Sequence, residues 1–396
     1  MTWADGLLLI VGLPVLGAAF YLGVLTLLSG RVAAPAPGAN ARATRVTFVV
    51  PAHDEAAGIA ATINSLAAVD WPAEAIRILV LADNCSDDTA ARARAAGARV
   101  IERDDPAHRG KGYALALAFT TLINEGWSEA VIVVDADSVV STNIVSAVVA
   151  HLARPGHWGA VQVFYGVRNP LASWRTQLMT IALAIFHRLR GRARARLGVS
   201  TKLNGNGMGF AVAALRAVPY QAFSIAEDLE YGIALVRAGI GIAYADEASI
   251  SAEMVSQADR AVSQRDRWDG GRATLRRTYA VPLVEEAVRA RTLERFDLAM
   301  EVLVPPLSAV VALLGLWSVA VAVVAFWVAV PLWALSLGAL AWTCLLMHVM
   351  RGVVLSGLGP VGWRALAFAP FYVAWALLLR LRRRGTRTAW VRTGRE

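Results

Sequence analysis

Residues 130–141, AVIVVDADSVVS, place two carboxylates directly after a run of aliphatic side chains. An uninterrupted aliphatic run such as 131–134 is typical of a strand buried on both faces, as in a parallel sheet covered by helices. Alternate residues of an extended chain point the same way, so Asp135 and Asp137 are predicted to project together. Two hard oxygen ligands side by side suit Mg²⁺ or Mn²⁺ that also holds a diphosphate. The alternative is that one acid caps the next helix and the other is solvated.

The surrounding sequence, from about residue 44 to 250, alternates short aliphatic strands with Ala-rich, helix-forming runs. The predicted strands are RVTFVV, IRILVLAD, ARVIER, AVIVVDAD and GAVQVFYG. This pattern predicts an α/β domain with a mostly parallel sheet. Ligands of such sheets bind beyond the carboxyl ends of the strands, where this chain places residues 51–55, 83–84 and 135–137.

The composition is apolar and basic, with 57% hydrophobic residues and a net charge of +9. Membrane segments explain the first property, and arginine supplies nearly all of the second, since Lys111 and Lys202 are the only lysines. No zinc spacing, RNA-binding aromatic signature or basic heptad is present, so nucleic-acid binding is excluded as an interpretation. Cys85 and Cys344 stand far apart in unlike contexts, which fits a reducing compartment.

Residues 6–30 carry no charge over more than the roughly 20 residues that a bilayer core requires, which predicts a transmembrane helix. A cleaved signal peptide is disfavoured because no basic region precedes the stretch. Arg31, Arg42 and Arg45 follow it and predict that this end faces the cytoplasm.

Residues 302–350 contain no Asp, Glu, Lys or Arg and would form a helix of about 75 Å, so two spans with a turn near Pro331 are predicted. Arg351 then returns to the cytoplasmic side. Residues 352–379 are again apolar apart from one arginine, and a basic tail follows them. This segment is either a re-entrant or interfacial element, or a third span that breaks the charge rule.

Seven motifs together resemble, over nearly the whole chain, the membrane-embedded family 2 glycosyltransferases. This inverting group includes cellulose, hyaluronan and poly-N-acetylglucosamine synthases and, more distantly, ceramide glucosyltransferases. The motifs stand in the order VVPAHDEAAGI, VLADNCSDDT, HRGKGYALALA, VVDADS, NGNGMGF, AEDLEYGIAL and QRDRW. QRDRW, an instance of Q-x-x-R-W, is the most specific, whereas Asn84 and Cys85 stand where Gly and Ser are commoner.

The resemblance implies a glycosyltransferase-A-type domain and a donor site. Glu55 and Asp83 would meet the nucleotide base, Lys111 would approach the diphosphate, Asp135 would border the sugar or the metal, and Asp137 would ligate the metal. Mg²⁺ or Mn²⁺ would stabilise the leaving nucleoside diphosphate. The alternatives are a loop-capping Asp83 and a solvated Lys111.

The resemblance also implies that Asp228 is the general base that accepts the proton of the acceptor hydroxyl. Glu227 would lie at the acceptor site. Both acids come at a predicted helix start, where carboxylates are also favoured by the helix dipole, so simple capping is the alternative. Ala226 replaces the threonine common in polysaccharide synthases, which weakens a processive assignment.

Gln264, Arg267 and Trp268 fall at i, i+3 and i+4, on one face of a helix. Gln264 and Arg267 would bind the donor diphosphate, and the indole of Trp268 would form a platform for an acceptor sugar. An amphipathic interface helix with a buried tryptophan is the alternative. Gly207, within NGNGMGF, would let the backbone approach the acceptor.

Residues 171–189 have apolar positions at helical spacing, and RLRGRARAR follows at 188–196. This combination favours an interfacial helix beneath anionic head groups that would hold the acceptor site at the membrane. A core helix followed by a basic loop is the alternative.

We therefore predict an inverting glycosyltransferase of the inner (cytoplasmic) membrane, multi-pass, with a cytoplasmic catalytic domain inserted between transmembrane helices. It would transfer a sugar from a nucleotide-sugar, preferably a UDP-sugar, to a lipid-linked or growing polysaccharide acceptor. A homo-oligomer or partner subunit would complete any glycan pore. The predicted divisions are a transmembrane helix at 1–31, a linker at 32–44, the catalytic domain at 45–280, an interfacial helix at 281–300, a membrane region at 301–380 and a basic tail at 381–396.

Two other function classes were weighed. A non-catalytic glycosyltransferase-like scaffold of a polysaccharide assembly complex would keep the fold, but scaffolds of this kind tend to lose the metal acid or the base, and Asp137, Asp228 and Arg267 are all present. A transporter is disfavoured because the membrane segments contain no acidic residue.

Overall fold

An eight-stranded mixed sheet forms the centre of the domain that follows the first helix. The computed structural model describes residues 3–36, 38, 41–254, 258–327 and 332–382. The strands are β1 Val46–Ala52, β2 Ile76–Asp83, β3 Arg99–Arg103, β4 Ala130–Val133, β5 Ser138–Val140, β6 Trp158–Val167, β7 Met208–Ala211 and β8 Gly241–Ala252. Their order across the sheet is β3-β2-β1-β4-β7-β6-β8-β5.

The first four strands across the sheet run parallel, with β1 paired to β2 and β4, and β2 paired to β3. Strand β7 runs antiparallel between β4 and β6, whereas β6 and β8 are parallel. The carboxyl ends of β1, β2 and β4 therefore meet at one edge. The predicted α/β domain with a mostly parallel sheet is confirmed.

Helices cover both faces of the sheet. The described α-helices of the domain are α2 Ile59–Ala67, α3 Thr89–Ala95, α4 Lys111–Glu125, α5 Ile144–Leu152, α6 Trp174–Leu183, α7 Arg190–Leu197, α8 Val212–Ala217 and α9 Glu227–Arg237. Val131 and Val133 pack in the same core as α4 and α9, whereas Ile132 and Val134 pack with α2 and α5. All four are 0% exposed, as expected for a strand buried on both faces.

Outside the domain lie α1 Trp3–Leu28, α10 Ala258–Ala290, α11 Leu293–Leu303, α12 Leu307–Ala325, α13 Leu332–Ser356, α14 Pro360–Ala365 and α15 Ala369–Arg382. Three segments of the described chain are long and apolar enough to cross a membrane: Leu8–Leu28, Leu307–Ala325 and Leu332–Ser356. Helix α1 shares one apolar core with α12 and α13. The turn predicted near Pro331 lies outside the described residues.

The chain breaks after α13. Gly357 and Gly359 both adopt positive φ, at 74° and 55°, and end the helix before α14 begins. Helix α15 has 14 residues, about 21 Å, which is shorter than the roughly 30 Å of a hydrocarbon core. Residues 352–356 complete α13, and α14, a 3-10 turn at Leu366–Phe368 and α15 follow one another without a gap from Pro360 to Arg382. A re-entrant or interfacial element and a third span both remain proposals for this segment.

Helix α10 continues across residue 280 and ends at Ala290, so the predicted boundary between 280 and 281 falls inside one helix. The interfacial helix predicted at 281–300 is interrupted at Arg291, which has φ of 51°. Thr292 then caps α11 by accepting a hydrogen bond from the backbone N–H of Arg295.

The helix predicted over residues 171–189 begins at Trp174, and much of its basic continuation is buried inside the protein. Helices α6 and α7 are joined by a π-helical segment, Ala184–Leu189. Arg190, Arg192 and Arg194 are buried, at 2%, 8% and 1% exposure. These three side chains therefore do not form the exposed basic face that the predicted interfacial helix would present. Acids distant in the sequence fold against them, namely Asp246, Asp297 and Glu301.

Candidate active site

Hydrogen bonds hold the turn after β4 and set the direction of its two acids. The backbone N–H of Asp135 donates to Asn206 Oδ1 at 3.0 Å, and Thr62 Oγ1 donates to the carbonyl of Ala136 at 2.8 Å. Ala136 is 5% exposed, whereas Asp135 and Asp137 are half-buried. This alternation agrees with the predicted projection of both acids to the open side.

Two buried amides that the sequence analysis missed support this turn. Gln162 Nε2 donates to the carbonyl of Asn206 at 2.7 Å, and Gln162 Oε1 accepts from the N–H of Asn204 at 2.9 Å. Asn206 Nδ2 donates to Ser138 Oγ at 2.8 Å. A glutamine inside the aliphatic strand GAVQVFYG was the available signal, because a polar side chain at a buried position requires partners.

The ammonium of Lys111 lies at the centre of the site. It pairs with Asp135 Oδ1 and donates to the carbonyl of Gly205. Burial lowers the pKa of Lys111, but the carboxylates of Asp135, Glu227 and Asp228 outweigh it, so the pKa is raised overall. Lys111 is therefore not a solvated surface lysine; it is a fixed cation facing several acids.

Glycine residues allow the backbone to lie close to Lys111 and Asp228. Gly205 has φ of 75°, and a Cβ there would lie 3.4 Å from Asp228 Oδ2 and 3.9 Å from Lys111 Nζ. Gly207, the predicted acceptor contact, has φ of 70° and faces the sheet, where a Cβ would lie 2.5 Å from Val163 Cγ2. The glycine of NGNGMGF beside the charged groups is thus Gly205.

The Glu-Asp pair begins α9, as predicted. Burial raises the pKa of Glu227 to about 8, with the neighbouring carboxylate of Asp228 adding to the shift and Lys111 opposing it. The raised pKa favours the protonated form of Glu227 at neutral pH, which reduces the repulsion between its carboxyl group and that of Asp228. Asp228 Oδ1 accepts from the N–H of Leu229 at 2.8 Å, and its other oxygen is the one near Gly205.

Asp83, at the end of β2, is more enclosed than the sequence suggested. Its Oδ1 accepts from Arg103 Nη1 at 2.6 Å and from Asn84 Nδ2 at 3.0 Å, and the residue is 7% exposed. Arg103 ends β3, and the sequence analysis did not identify it. Glu55 lies at the end of the neighbouring strand, where its backbone N–H donates to Thr89 Oγ1 at 2.8 Å.

A group of three potential metal ligands in the described chain is formed by Asp54, Cys85 and Asp87. Asp54 Oδ1 already accepts from the backbone N–H of Ser86 at 2.6 Å and of Asp87 at 3.3 Å, so it closes the turn after β2. Asp135 and Asp137 are two half-buried carboxylates after β4; Asp135 Oδ1 is paired with Lys111, and Asp137 Oδ1 accepts from Ser138 Oγ at 3.2 Å. That donor set fits Mg²⁺ or Mn²⁺, which bind through one or two carboxylates together with substrate phosphates.

Helix α10 carries the QRDRW motif. The backbone is helical at Gln264, Arg267 and Trp268, and their side chains lie outside the described residues. Three residues further on, a Cβ at Gly271 would lie 3.0 Å from Ala226 Cβ. The helix with the motif therefore passes directly against the start of α9, which carries the predicted base.

Residues 43–271, more than half of the chain, match the family described as Glycosyltransferase like family 2. Among curated proteins, the chain is similar to the β-monoglucosyldiacylglycerol synthase of Synechocystis sp., with 27% identity over 233 residues. That similarity covers 57% of this chain and 47% of the relative, so the chain spans about half the length of the curated relative it matches.

Two solved structures are similar to the chain, the first of them over most of its length. A mannosyltransferase from Pyrobaculum calidifontis, in complex with GDP-Man and Mn²⁺, is 17% identical with a TM-score of 0.55, over 90% of this chain and 99% of its own. Glucosyl-3-phosphoglycerate synthase from Mycobacterium tuberculosis, in complex with Mn²⁺, UDP and phosphoglyceric acid, is 25% identical over 58% of this chain and 78% of its own, with a TM-score of 0.40. The likeness to the mannosyltransferase confirms the predicted glycosyltransferase-A-type fold.

Proposed function

The chain belongs to the family described as Glycosyltransferase like family 2, and from that premise we propose that it is an inverting membrane glycosyltransferase. It transfers a sugar from a nucleotide-sugar, preferably a UDP-sugar, to a lipid-linked or growing glycan acceptor. The observation that carries this proposal is the meeting of Lys111, Asp135, Gly205 and Asp228 at the carboxyl edge of the sheet.

The donor binds along that edge in the proposal. Glu55 and Asp83 lie at the ends of adjacent strands and contact the base, with Arg103 holding Asp83 in place. Lys111 and Asp135 border the sugar and the diphosphate, and Asp137 with Asp135 would hold the divalent metal. Bound there, Mg²⁺ or Mn²⁺ supplies positive charge that stabilises the leaving diphosphate. Gln264 and Arg267 add donor contacts from α10.

Transfer is a single displacement. Asp228 accepts the proton of the acceptor hydroxyl while the oxygen of that hydroxyl forms a bond to the anomeric carbon. The bond from that carbon to the phosphate oxygen breaks, and the electron pair leaves with the nucleoside diphosphate. Glu227 is protonated at neutral pH and donates a hydrogen bond at the acceptor site, where Trp268 forms the sugar platform and Gly207 fixes the backbone.

The acceptor is presented at the membrane. Three membrane-length helices are few for a glycan channel in one chain, and the curated relative is named for synthesis of a glucosyl diacylglycerol. Both facts support a lipid acceptor, with a pore through a homo-oligomer or partner subunit as the other arrangement. We place the protein in the inner membrane with the sheet domain in the cytoplasm, because Arg31 and Arg351 lie at the domain ends of their helices. We keep the other predicted domain divisions but move the end of the catalytic domain from residue 280 to the end of α10 at Ala290.

The test is nucleotide release by the purified protein in lipid nanodiscs, from a panel of UDP- and GDP-sugars with and without Mg²⁺ or Mn²⁺. We expect release from one donor, dependent on the metal, and loss of about 10²–10⁴-fold in Asp228→Asn, as is usual when a general base is removed. The matched control is Asp70→Asn, an exposed acid before β2.

Nucleotide binding separates a catalytic Asp228 from a structural one. The Asp228→Asn variant is expected to bind the nucleotide as tightly as the wild type. Loss of binding together with turnover would assign Asp228 to helix capping. Absence of release from every donor, even with total membrane lipid added, would favour the non-catalytic scaffold.

A further inference from the structure

A second group of buried charges lies where α7 meets α1 and α11. We call it the junction cluster, and its members are Arg190, Arg194, Lys202, Asp297 and Glu301. The sugar transfer proposed above uses none of these side chains. Three cations share two acids in this cluster, and some donor atoms of Arg190 have no hydrogen-bond partner among the described residues.

Arg194 is well compensated. Its Nε donates to Asp297 Oδ2 and its Nη2 donates to Glu301 Oε2, both at 2.7 Å. The hydroxyl of Tyr21, in α1, donates to Asp297 Oδ1 at 2.7 Å and thereby ties the pair to the membrane helix. Charge-assisted bonds of this length account for both acids.

Arg190 and Lys202 are not compensated in this way. Each approaches Glu301 only to 3.8 Å, and Glu301 already accepts from Arg194. Arg190 is 2% exposed, and its Nε and Nη2 have no hydrogen-bond partner among the described residues. Both cations lie over the ring of Phe186, at 4.5 Å and 5.2 Å, which replaces only part of the lost hydration.

The pKa values of the groups in the junction cluster are shifted by burial and by the neighbouring cations. Burial and the repulsion of Arg272 lower the pKa of Lys202 to about 7. Burial also lowers the pKa of Arg190. Burial alone would raise the pKa of Glu301, but Arg194, Lys202 and Arg190 together hold it well below its usual range. A buried guanidinium with unmade hydrogen bonds is strongly destabilising unless an anion joins it.

The cluster lies beside the domain ends of the membrane-length helices. Tyr21, whose hydroxyl bonds Asp297, is in α1, about 10 Å before the end of that helix at Leu28. At the end of α13, Arg188 Nη1 donates to the carbonyl of Leu355 at 3.3 Å, and Arg351 Nε donates to Ser29 Oγ at 3.0 Å. The helix that carries Arg190 therefore packs across the domain ends of two membrane-length helices.

We propose that the junction cluster is a binding site for the phosphate group of an anionic membrane lipid. Phosphate oxygens match the planar donors of Arg190 and supply the negative charge that Lys202 lacks. Basic pockets at the inner ends of membrane helices are suited to phosphate head groups. The proposal concerns lipid binding and does not depend on the identity of the transferred sugar.

Access to the cluster passes beneath α10. Arg272, half-buried in α10, lies 5.0 Å from the centre of the Phe186 ring, on which Arg190 and Lys202 also lie. Entry of the phosphate displaces this contact and adds Arg272 as a third cationic ligand. The bound lipid would thus link the membrane to the helix that carries QRDRW.

The experiment uses the full chain, delipidated in a neutral maltoside detergent, and measures the midpoint of thermal unfolding during titration with phosphatidylglycerol, phosphatidylcholine or inorganic phosphate. We expect phosphatidylglycerol to raise the midpoint saturably, with a smaller effect of the other two. Arg190→Gln and Lys202→Gln should each weaken the apparent affinity by about tenfold or more, as expected for a lost charge-assisted contact. The matched control is Arg196→Gln, an exposed arginine of α7.

Two results would overturn the proposal. One is an Arg190→Gln protein that responds to phosphatidylglycerol like the wild type. The other is an equal loss of response in Arg196→Gln, which would indicate general surface attraction. An equal response to inorganic phosphate would overturn the membrane source and assign the site to a soluble phosphate compound.

Stability without lipid separates a binding site from a structural ion pair. In delipidated protein, Arg190→Gln should unfold at the same or a higher temperature than the wild type, because it removes an uncompensated buried charge. Marked destabilisation would assign Arg190 to the fold through Glu301. Should Arg190→Gln fail to accumulate, Lys202→Gln tests the same site through the same titration.

Discussion

Lys111 and Lys202, the two lysines of the chain, are both largely buried and stand in opposite electrostatic surroundings. Lys111 faces the carboxylates of Asp135, Glu227 and Asp228, which raise its pKa against the effect of burial. Burial lowers the pKa of Lys202 to about 7; the cations Arg272 and Arg190 add to this effect, whereas the carboxylates of Glu301, at 3.8 Å, and Asp228 oppose it. Burial acts in the same direction on both, so the sign of the neighbouring charges decides the outcome.

This difference separates two regions with different tasks. At the sheet edge the protein supplies its own counter-charges, and the cation is fixed before any donor arrives, which is the arrangement expected of a preorganised site. At the junction cluster the counter-charge is incomplete. We interpret the first region as reaction machinery and the second as a place that receives an anion.

Among the changes that compare the two lysine regions, removing the fixed cation should have the largest effect. We expect Lys111→Met to lower turnover by about 10²-fold or more, since it deletes a positive charge next to the departing diphosphate and leaves Asp135 unpaired. Nucleotide release measures the change, and the exposed neighbour Arg109, changed to Met, is the control. Near-normal turnover in Lys111→Met would contradict a catalytic role for Lys111 and would show that its ion pair with Asp135 is structural.

The buried acid Glu227 should make the stability of the folded protein depend on pH. Its pKa is about 8 in the folded protein, above the ordinary glutamate value, so the folded state binds more protons between about pH 4.5 and 8. The stability of the wild type should therefore fall as pH rises through that window. Glu227→Gln should remove this fall and be the more stable protein above pH 8, as measured by thermal unfolding from pH 5 to 9.

An exposed acid provides the comparison for Glu227. Glu74→Gln, next to β2, should keep the wild-type pH profile. An unchanged profile in Glu227→Gln would show that the pKa of Glu227 is not raised in the folded protein.

Lys202 should show the opposite dependence on pH. Its folded pKa of about 7 lies below the ordinary lysine value, so the unfolded chain binds more protons between about pH 7 and 10.5. Stability should rise with pH there, and the range above pH 8 isolates this rise from the fall caused by Glu227. Lys202→Met should flatten the rise in denaturant unfolding measured in detergent.

Added phosphatidylglycerol should change the pH dependence of stability that Lys202 causes. With saturating phosphatidylglycerol, a bound phosphate would hold Lys202 protonated, and the rise of wild-type stability above pH 8 should shrink. A slope that is identical with and without the lipid would separate Lys202 from the proposed phosphate.

The smallest effect is expected at Gly205. Gly205→Ala places a Cβ in a backbone with φ of 75° and brings it to 3.4 Å from Asp228 Oδ2. We expect destabilisation by about 1 kcal/mol and a few-fold loss of turnover. The control is Gly198→Ala, where φ is 71° and no other atom lies within 4 Å of the added Cβ in the described chain. Equal turnover in both variants would show that Gly205 serves only the backbone.

The family-level resemblance is confirmed, and assignment to a particular subfamily stays a prediction. The elements that were predictable are those with a local signal. Residues 131–134 are an aliphatic run, the membrane-length helices are long apolar stretches, and the Glu-Asp pair starts a helix. Each of these follows from side chains that are neighbours in the sequence.

Other features were not predictable, because distant elements decide the environment of a side chain. The basic run of α7 looked suited to lipid head groups, yet Arg194 is buried against Asp297, which lies 103 residues further along the chain. Asp83 is held by Arg103 from the neighbouring strand, at 2.6 Å. No periodicity in the sequence indicates such partners, because they meet only when the sheet and the helices pack.

By itself, the sequence determined the strand pattern, the membrane-length helices and the positions of the acids at the strand ends, because alternation, apolar length and motif order are properties of adjacent residues. The tertiary structure alone decided the electrostatic state of those groups. It brought Lys111 to Asp135 and Gly205, turned Gly207 toward the sheet and made Arg190 share Glu301 with Arg194. The physical reason is that charge interactions depend on distance and burial in space, which the order of residues does not specify.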